Sequence, residues 1–173
     1  MSEVPPLVAV RDLDLHFADR AIPALDAVSL DWREGEALGL VGESGSGKSR
    51  LVRVMIGARR PDRGTLQFRG RSLSAAGIEE RTARAAFRLA VQPLFQNPGG
   101  SLDPRMTLFE SIAEGLALRG HAASRSSGMG DLVLATLAEV GLEAELASHF
   151  PHELSGGQRQ RGALARVLAV DPE

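Results

Sequence analysis

The sequence predicts an α/β fold in which short strands come first and helices later. Three observations carry that reading. Residues 7–17 and 24–32 alternate apolar and polar side chains, the period of half-buried strands. Residues 37–42, ALGLVG, form a continuous apolar run that ends in a glycine-rich stretch and gives way to a helical period. Beyond residue 106, apolar residues recur at helical spacing and capping residues stand where helices should begin.

Each element follows in order. In residues 7–17, Val8, Val10, Leu13 and Leu15 mark the first strand, with one slip in the alternation. Residues 24–32 form the second, and Gly35-Glu36 a turn. The apolar run 37–42 reads as a strand buried on both faces of a parallel sheet. From Lys48 the period becomes helical: Leu51 with Met55 and Val52 with Ile56 are i, i+4 pairs, and Gly57 is a natural stop. RPDRG (60–64) is a turn, and 65–68 a strand. Residues 78–87 read as a helix and 89–94 as another buried strand. QNPGGSLDPRM (96–106) is crowded with breakers and is expected to be a loop. Residues 107–118 form an amphipathic helix capped by Thr107, 119–130 a polar connector, and 131–140 a helix ending at Gly141. After FPHELSGGQ, a last helix runs to about Ala169. There is no repeat, heptad or low-complexity tract.

Bulk properties narrow the function classes. At 173 residues and 43% hydrophobic, the chain can bury a real core. Its net charge of −2 gives no electrostatic reason to expect a nucleic-acid partner. With no cysteine there is neither a disulfide framework nor a Cys-based zinc site. No apolar run approaches the roughly 18–20 residues of a membrane helix, and MSEVPPLVAV lacks a basic n-region. A soluble cytosolic chain is expected.

Among the 20 cationic residues, the only lysine is Lys48. It stands in GESGSGKS (42–49), which fits G-x-x-x-x-G-K-[ST] between an apolar run and a helical pattern. This spacing suits a triphosphate. Gly42, Gly45 and Gly47 permit positive φ and close backbone approach, so that amides of the loop, including those of Glu43, Ser44 and Ser46, can point inward. The following helix offers its N-terminus to the anion. Lys48 is placed to reach the β and γ oxygens, and the Ser49 hydroxyl to meet Mg²⁺. A planar guanidinium is too wide for such a ring of amides, which accounts for the lone lysine in an arginine-rich chain.

LSGGQRQR (154–161) is a second candidate anion site. Ser155 supplies a hydroxyl and Gly156 and Gly157 exposed amides at a helix start. On its own, an ordinary serine N-cap with turn glycines also fits. Two phosphate cradles on one chain suggest two ligands, or one ligand shared between two chains.

These stretches together resemble the ABC ATPases. Gly42–Ser49 is similar to the Walker A loop, and Leu154, Ser155, Gly156, Gly157 and Gln158 to the signature motif. LFQNPGGSLDPRMT (94–107) resembles the Q-loop region of the peptide/nickel-type importers, and FPHELSGGQRQRGALARVLAVDP continues the likeness. The resemblance implies a P-loop NTPase (RecA-like) core with N-terminal antiparallel strands and an inserted α-helical subdomain. It divides the chain into a nucleotide-binding core (1–96), an α-helical subdomain (97–153), and the signature with its following helix (154–173). It implies that ATP and Mg²⁺ bind at Gly42–Arg50, with Gln96 and Ser49 as metal contacts. Gln92, inside the expected strand, is a decoy. Residues 154–158 would contact ATP held by a second ABC ATPase subunit. Membrane-spanning permease subunits complete the implied assembly, and the location is cytoplasmic, peripheral on the inner face of the cell membrane.

The departures shape the expectations. Arg50 stands where the family usually has Ser or Thr, removing a hydroxyl aimed at the α-phosphate. No aromatic stands near Asp19-Arg20, where one would stack on adenine; Phe17 and His16 are the nearest substitutes. Gly162 lies inside the last helix, costing roughly 1 kcal/mol relative to Ala. The family's Walker B Asp, catalytic Glu and switch His would follow Asp171-Pro172, so no catalytic residue is assigned within these residues and hydrolysis is not expected of them. The other readings weighed are an inactive nucleotide-binding fragment, a soluble non-transport ABC ATPase and a P-loop kinase. The kinase leaves Leu154–Gln158 unexplained.

Overall fold

The computed structural model describes residues 5–16, 23–73, 78–95, 98–119 and 128–173, without the side chains of 78–81, 98 and 99. It divides into two compact units, Met1–Arg88 and Leu89–Glu173.

The first unit is built on a four-stranded antiparallel sheet in the order β2-β1-β3-β4. Its strands are β1 (Val8–Leu15), β2 (Leu25–Trp32), β3 (Arg63–Phe68) and the short β4 (Arg71–Ser72). β1 is central, pairing Val10 with Leu30 on one edge and with Leu66 on the other. The slip in the sequence alternation is a register shift between Val10 and Leu13, with Asp12 at φ 47°. Such a bulge strands backbone donors. Side chains meet them: Asp12 N–H donates to Ser29 Oγ at 2.9 Å, and Ala27 N–H to Asp14 Oδ1 at 2.8 Å. The β3–β4 hairpin turns through Arg69 and Gly70, both at positive φ. That geometry favours glycine, and Gly70 was the available sign of a strand absent from the sequence reading. Val8, Val10, Leu13, Leu15, Leu66 and Phe68 are buried, and Phe68 meets Phe87 edge-on at 5.2 Å.

Two expectations need correction. Residues 37–42 and 89–94 do not form strands. Val41 is 94% exposed and Leu38 also lies at the surface. The helix α2 (Ile78–Ala90) continues past its expected end, and Leu94 and Phe95 beyond it are exposed. The physical reason is pairing. A strand is held by ladder hydrogen bonds to neighbours, and among the described residues neither run has a strand beside it. Apolar composition marked both runs for burial but could not supply the partner.

The second unit packs α3 (Leu108–Leu118), α4 (Met129–Glu139) and α5 (Gly156–Leu168) around Leu108, Ile112, Leu116, Val133, Leu137, Leu154, Ala165 and Ala169. Thr107 caps α3 as expected, in a reciprocal box: its Oγ1 accepts from Glu110 N–H at 3.2 Å, while Glu110 accepts from Thr107 N–H at 2.7 Å. Gly141 ends α4 at φ 67°. In the loop before α3, the Arg105 guanidinium and backbone amide hold the Asp103 carboxyl down to about 2.

Gly162 has a packing reason. A Cβ there would lie 2.7 Å from Leu108 Cδ1, and Leu108 is a core residue. We expect Gly162→Val to lower the denaturation free energy of the chain by about 1–3 kcal/mol, because a branched side chain must displace Leu108. Urea unfolding followed by circular dichroism checks this; an unchanged midpoint would show that Leu108 moves aside freely.

Candidate functional site: a phosphate loop and a second glycine-rich helix start

Trp32 at the end of β2 leads into a turn closed by Glu36 N–H donating to Arg33 O at 3.2 Å, with Gly35 at φ 74°. The glycine loop follows and ends at α1 (Lys48–Met55). Gly47 is the N-cap of α1, at φ 95°, with no side chain capping the helix. A Cβ there would fall 2.6 Å from Ala24 O, so both the φ and the space require glycine. At Gly42, φ 154°, a Cβ would press on Ser46 Oγ at 2.9 Å.

The first turn of α1 therefore carries amides without intrahelical acceptors, no capping side chain and no acidic residue. That is the electrostatic description of an anion site. Glu43, Ser44, Gly45, Ser46 and Ser49 are exposed around it, and Arg50 is half-buried. Lys48 folds into the loop. Its Nζ donates to Gly42 O at 2.7 Å, to Glu43 O at 2.6 Å and to Ser46 Oγ at 3.3 Å. The part played by Ser46 Oγ was not anticipated; its position two residues before Lys48 was the only sign.

Ser155 is the N-cap of α5. Its Oγ accepts from Gln158 N–H at 3.2 Å, and Gln158 Oε1 accepts from Ser155 N–H at 2.8 Å. Gln158 is thus half of a capping box, which the Ser-x-x-Gln spacing could have shown. Leu154 is buried in the helical core. Gly156 and Gly157 are exposed, and a Cβ at either would meet nothing within 4 Å. Glycine in a helix costs about 1 kcal/mol relative to Ala. Among the described residues no crowding requires these two, so the open surface they leave is the feature to explain.

Gln96, Phe17 and Asp19-Arg20 lie outside the described residues. His16 is described: its N–H donates to Asp62 Oδ2 at 2.5 Å, and its ring approaches the same carboxylate at 3.5 Å. Gln92 is half-buried and not in a strand.

A glycine loop of this spacing, running into an uncapped helix, places the chain among phosphate-loop proteins. Within that class it belongs to the ABC transporter family, which residues 25–173 match. It is similar to the oligopeptide transport ATP-binding protein OppF of Bacillus subtilis strain 168, at 42% identity over 96% of this chain and 54% of that one. It is also similar to AppF, described in the same words and from the same strain, at 38% identity over 96% and 52%. The chain thus spans about half the length of these relatives. Among solved structures it resembles the dimeric, post-hydrolysis ATP-binding cassette MJ0796 bound to ADP and Pi. The TM-score is 0.79 at 29% identity, covering 95% of this chain and 70% of that one. No helix among the described residues is long and apolar enough to cross a membrane.

Proposed function

We propose that the chain is the ATP-binding part of an ABC importer subunit that couples ATP binding and hydrolysis to uptake of a small solute, of the oligopeptide type. The single observation that supports it best is the uncapped start of α1 behind a loop whose only ammonium is already turned inward. Residues 42–50 hold ATP: the loop amides and first-turn amides of α1 face the phosphates, and Lys48 exchanges its carbonyl partners for β and γ oxygens. Ser49 and Gln96 would hold Mg²⁺, which when bound would supply charge neutralisation for an in-line phosphoryl transfer. Leu154, Ser155, Gly156, Gly157 and Gln158 face ATP held by a second ABC ATPase subunit, which accounts for two glycines without an internal packing role. The dimeric state named for MJ0796 and the transport role named for OppF support this reading. The assembly would include membrane-spanning permease subunits, with this chain peripheral on the cytoplasmic face.

The test is titration with a fluorescent ATP analogue, with and without Mg²⁺. Saturable, Mg²⁺-strengthened binding displaced by unlabelled ATP is expected. A signal that ATP does not displace would remove the basis for the proposal.

A further inference from the structure

Arg159 lies in the first turn of α5, directly after the signature residues. A cation here opposes the helix dipole, and no acidic residue in that turn offsets it. The helix dipole therefore gives no reason for an arginine at this point. The structure gives another. Arg159 Nη1 donates to Leu154 O at 2.7 Å and to Pro151 O at 3.3 Å. These carbonyls belong to the one-turn 3₁₀ segment Pro151–Glu153 and to its C-cap, the stretch that delivers the chain to Ser155. That segment is held by its own backbone at the upstream end, where Glu153 N–H donates to Phe150 O at 3.0 Å, and only loosely downstream. Leu154 N–H to Pro151 O is long at 3.4 Å, and proline has no N–H to give. Glu153 fixes the upstream end by accepting from Phe150 N–H at 2.7 Å. Arg159, half-buried, fixes the downstream end by reaching back from the helix body. Arg161, two residues on, acts elsewhere: its Nη1 donates to Gly141 O at 2.7 Å, in the turn after α4.

We propose that Arg159 is a positioning residue for the signature motif. It holds the Leu154 and Pro151 carbonyls back so that the Ser155 hydroxyl and the Gly156 and Gly157 amides keep one fixed direction toward an anion outside the chain. The reasoning is geometric. Those glycines have no side-chain neighbours to restrain them. The Ser155–Gln158 capping box spans them, and the charge-assisted hydrogen bond from Arg159 anchors the carbonyl that leads into that box. The functional half of the proposal rests on the reading that residues 154–158 face nucleotide on a second subunit.

The test compares Arg159→Ala, Arg159→Lys and Arg161→Ala in the full chain, with three readouts. Amide hydrogen exchange at Ser155 and Gln158, whose N–H groups are bonded in the capping box, reports the turn, Mg-ATP-driven dimerisation reports its use, and the thermal midpoint reports global stability. Arg159→Ala is expected to speed exchange at both amides about tenfold and to weaken dimerisation by a similar factor, the effect of losing its charge-assisted hold on the Leu154 and Pro151 carbonyls. Its thermal midpoint should match that of Arg161→Ala, whose exchange and dimerisation stay near the parent's. Arg159→Lys should recover part of the loss, since a single ammonium can still reach Leu154 O. Unchanged exchange in Arg159→Ala, or equal effects from Arg161→Ala, would overturn the positioning role. Faster exchange with unchanged dimerisation would overturn its functional half. A parent that binds no ATP would instead overturn the proposed function, with the exchange result still readable.

Discussion

Replacing Lys48 with alanine is expected to weaken ATP binding about a hundredfold or more. The ammonium is the only side-chain cation donating into the loop among the described hydrogen bonds, and it lies on Gly42 O, Glu43 O and Ser46 Oγ. Hydrogen bonds from a charged group are worth about 1.5–3 kcal/mol each. Loss of two such contacts to phosphate oxygens therefore amounts to about 3 kcal/mol, a factor of more than a hundred in affinity. Lys48→Arg is expected to fail as well. Three acceptors at 2.6–3.3 Å converge on one point, which suits a compact ammonium and not a planar fork. Binding of a fluorescent ATP analogue decides both; an arginine variant equal to the parent would refute the steric argument.

Ser155→Arg should leave the loop's own nucleotide affinity within about twofold while abolishing ATP-driven dimerisation. Ser155 is exposed and begins α5 with its neighbours Gly156 and Gly157 facing open space, so a long cation would fill the surface offered to a partner. Losing the Ser155 cap adds a cost of about 1 kcal/mol to folding. Ser155→Asn retains a capping oxygen and separates that cost from the block. Size-exclusion profiles with Mg-ATP are the measurement, and a normal dimer peak from the arginine variant would remove the shared-nucleotide arrangement.

Most of the helical architecture was legible in the sequence because its signals are local. Thr107 before the third helix, and Gly141 after residue 140, marked where helices start and stop, and the structure places both caps as read; the part of Glu110 in the first cap comes from the structure. The slip in residues 7–17 was legible as a broken alternation, although only the structure shows that Asp14 and Ser29 side chains satisfy the bulge. The strands expected at 37–42 and 89–94 were misread for a physical reason. Apolar composition reports a demand for burial, whereas a strand also needs a neighbour, and pairing is not encoded in the run itself. For the site, the lone lysine and glycine spacing located the loop. The inward hydrogen bonds of Lys48 and the clamp of Arg159 depend on side-chain direction, which spacing does not reveal.

The position of β1 has a consequence for the order of assembly. β1 pairs with β2 on one edge and β3 on the other, and the whole phosphate loop and α1 lie in the chain between those two partners. The β1–β2 hairpin can close early, through a short connection. The β1–β3 pairing must close a span of roughly 30 additional residues and pay its entropy before any contact rewards it. During synthesis, the segment that would cradle phosphate therefore stays tethered at one end only until Phe68 has emerged and β3 has docked. Nucleotide cannot template the early steps of folding here; it can only trap a sheet that has already formed, and its effect on refolding should fall on the unfolding rate and leave the folding rate unchanged.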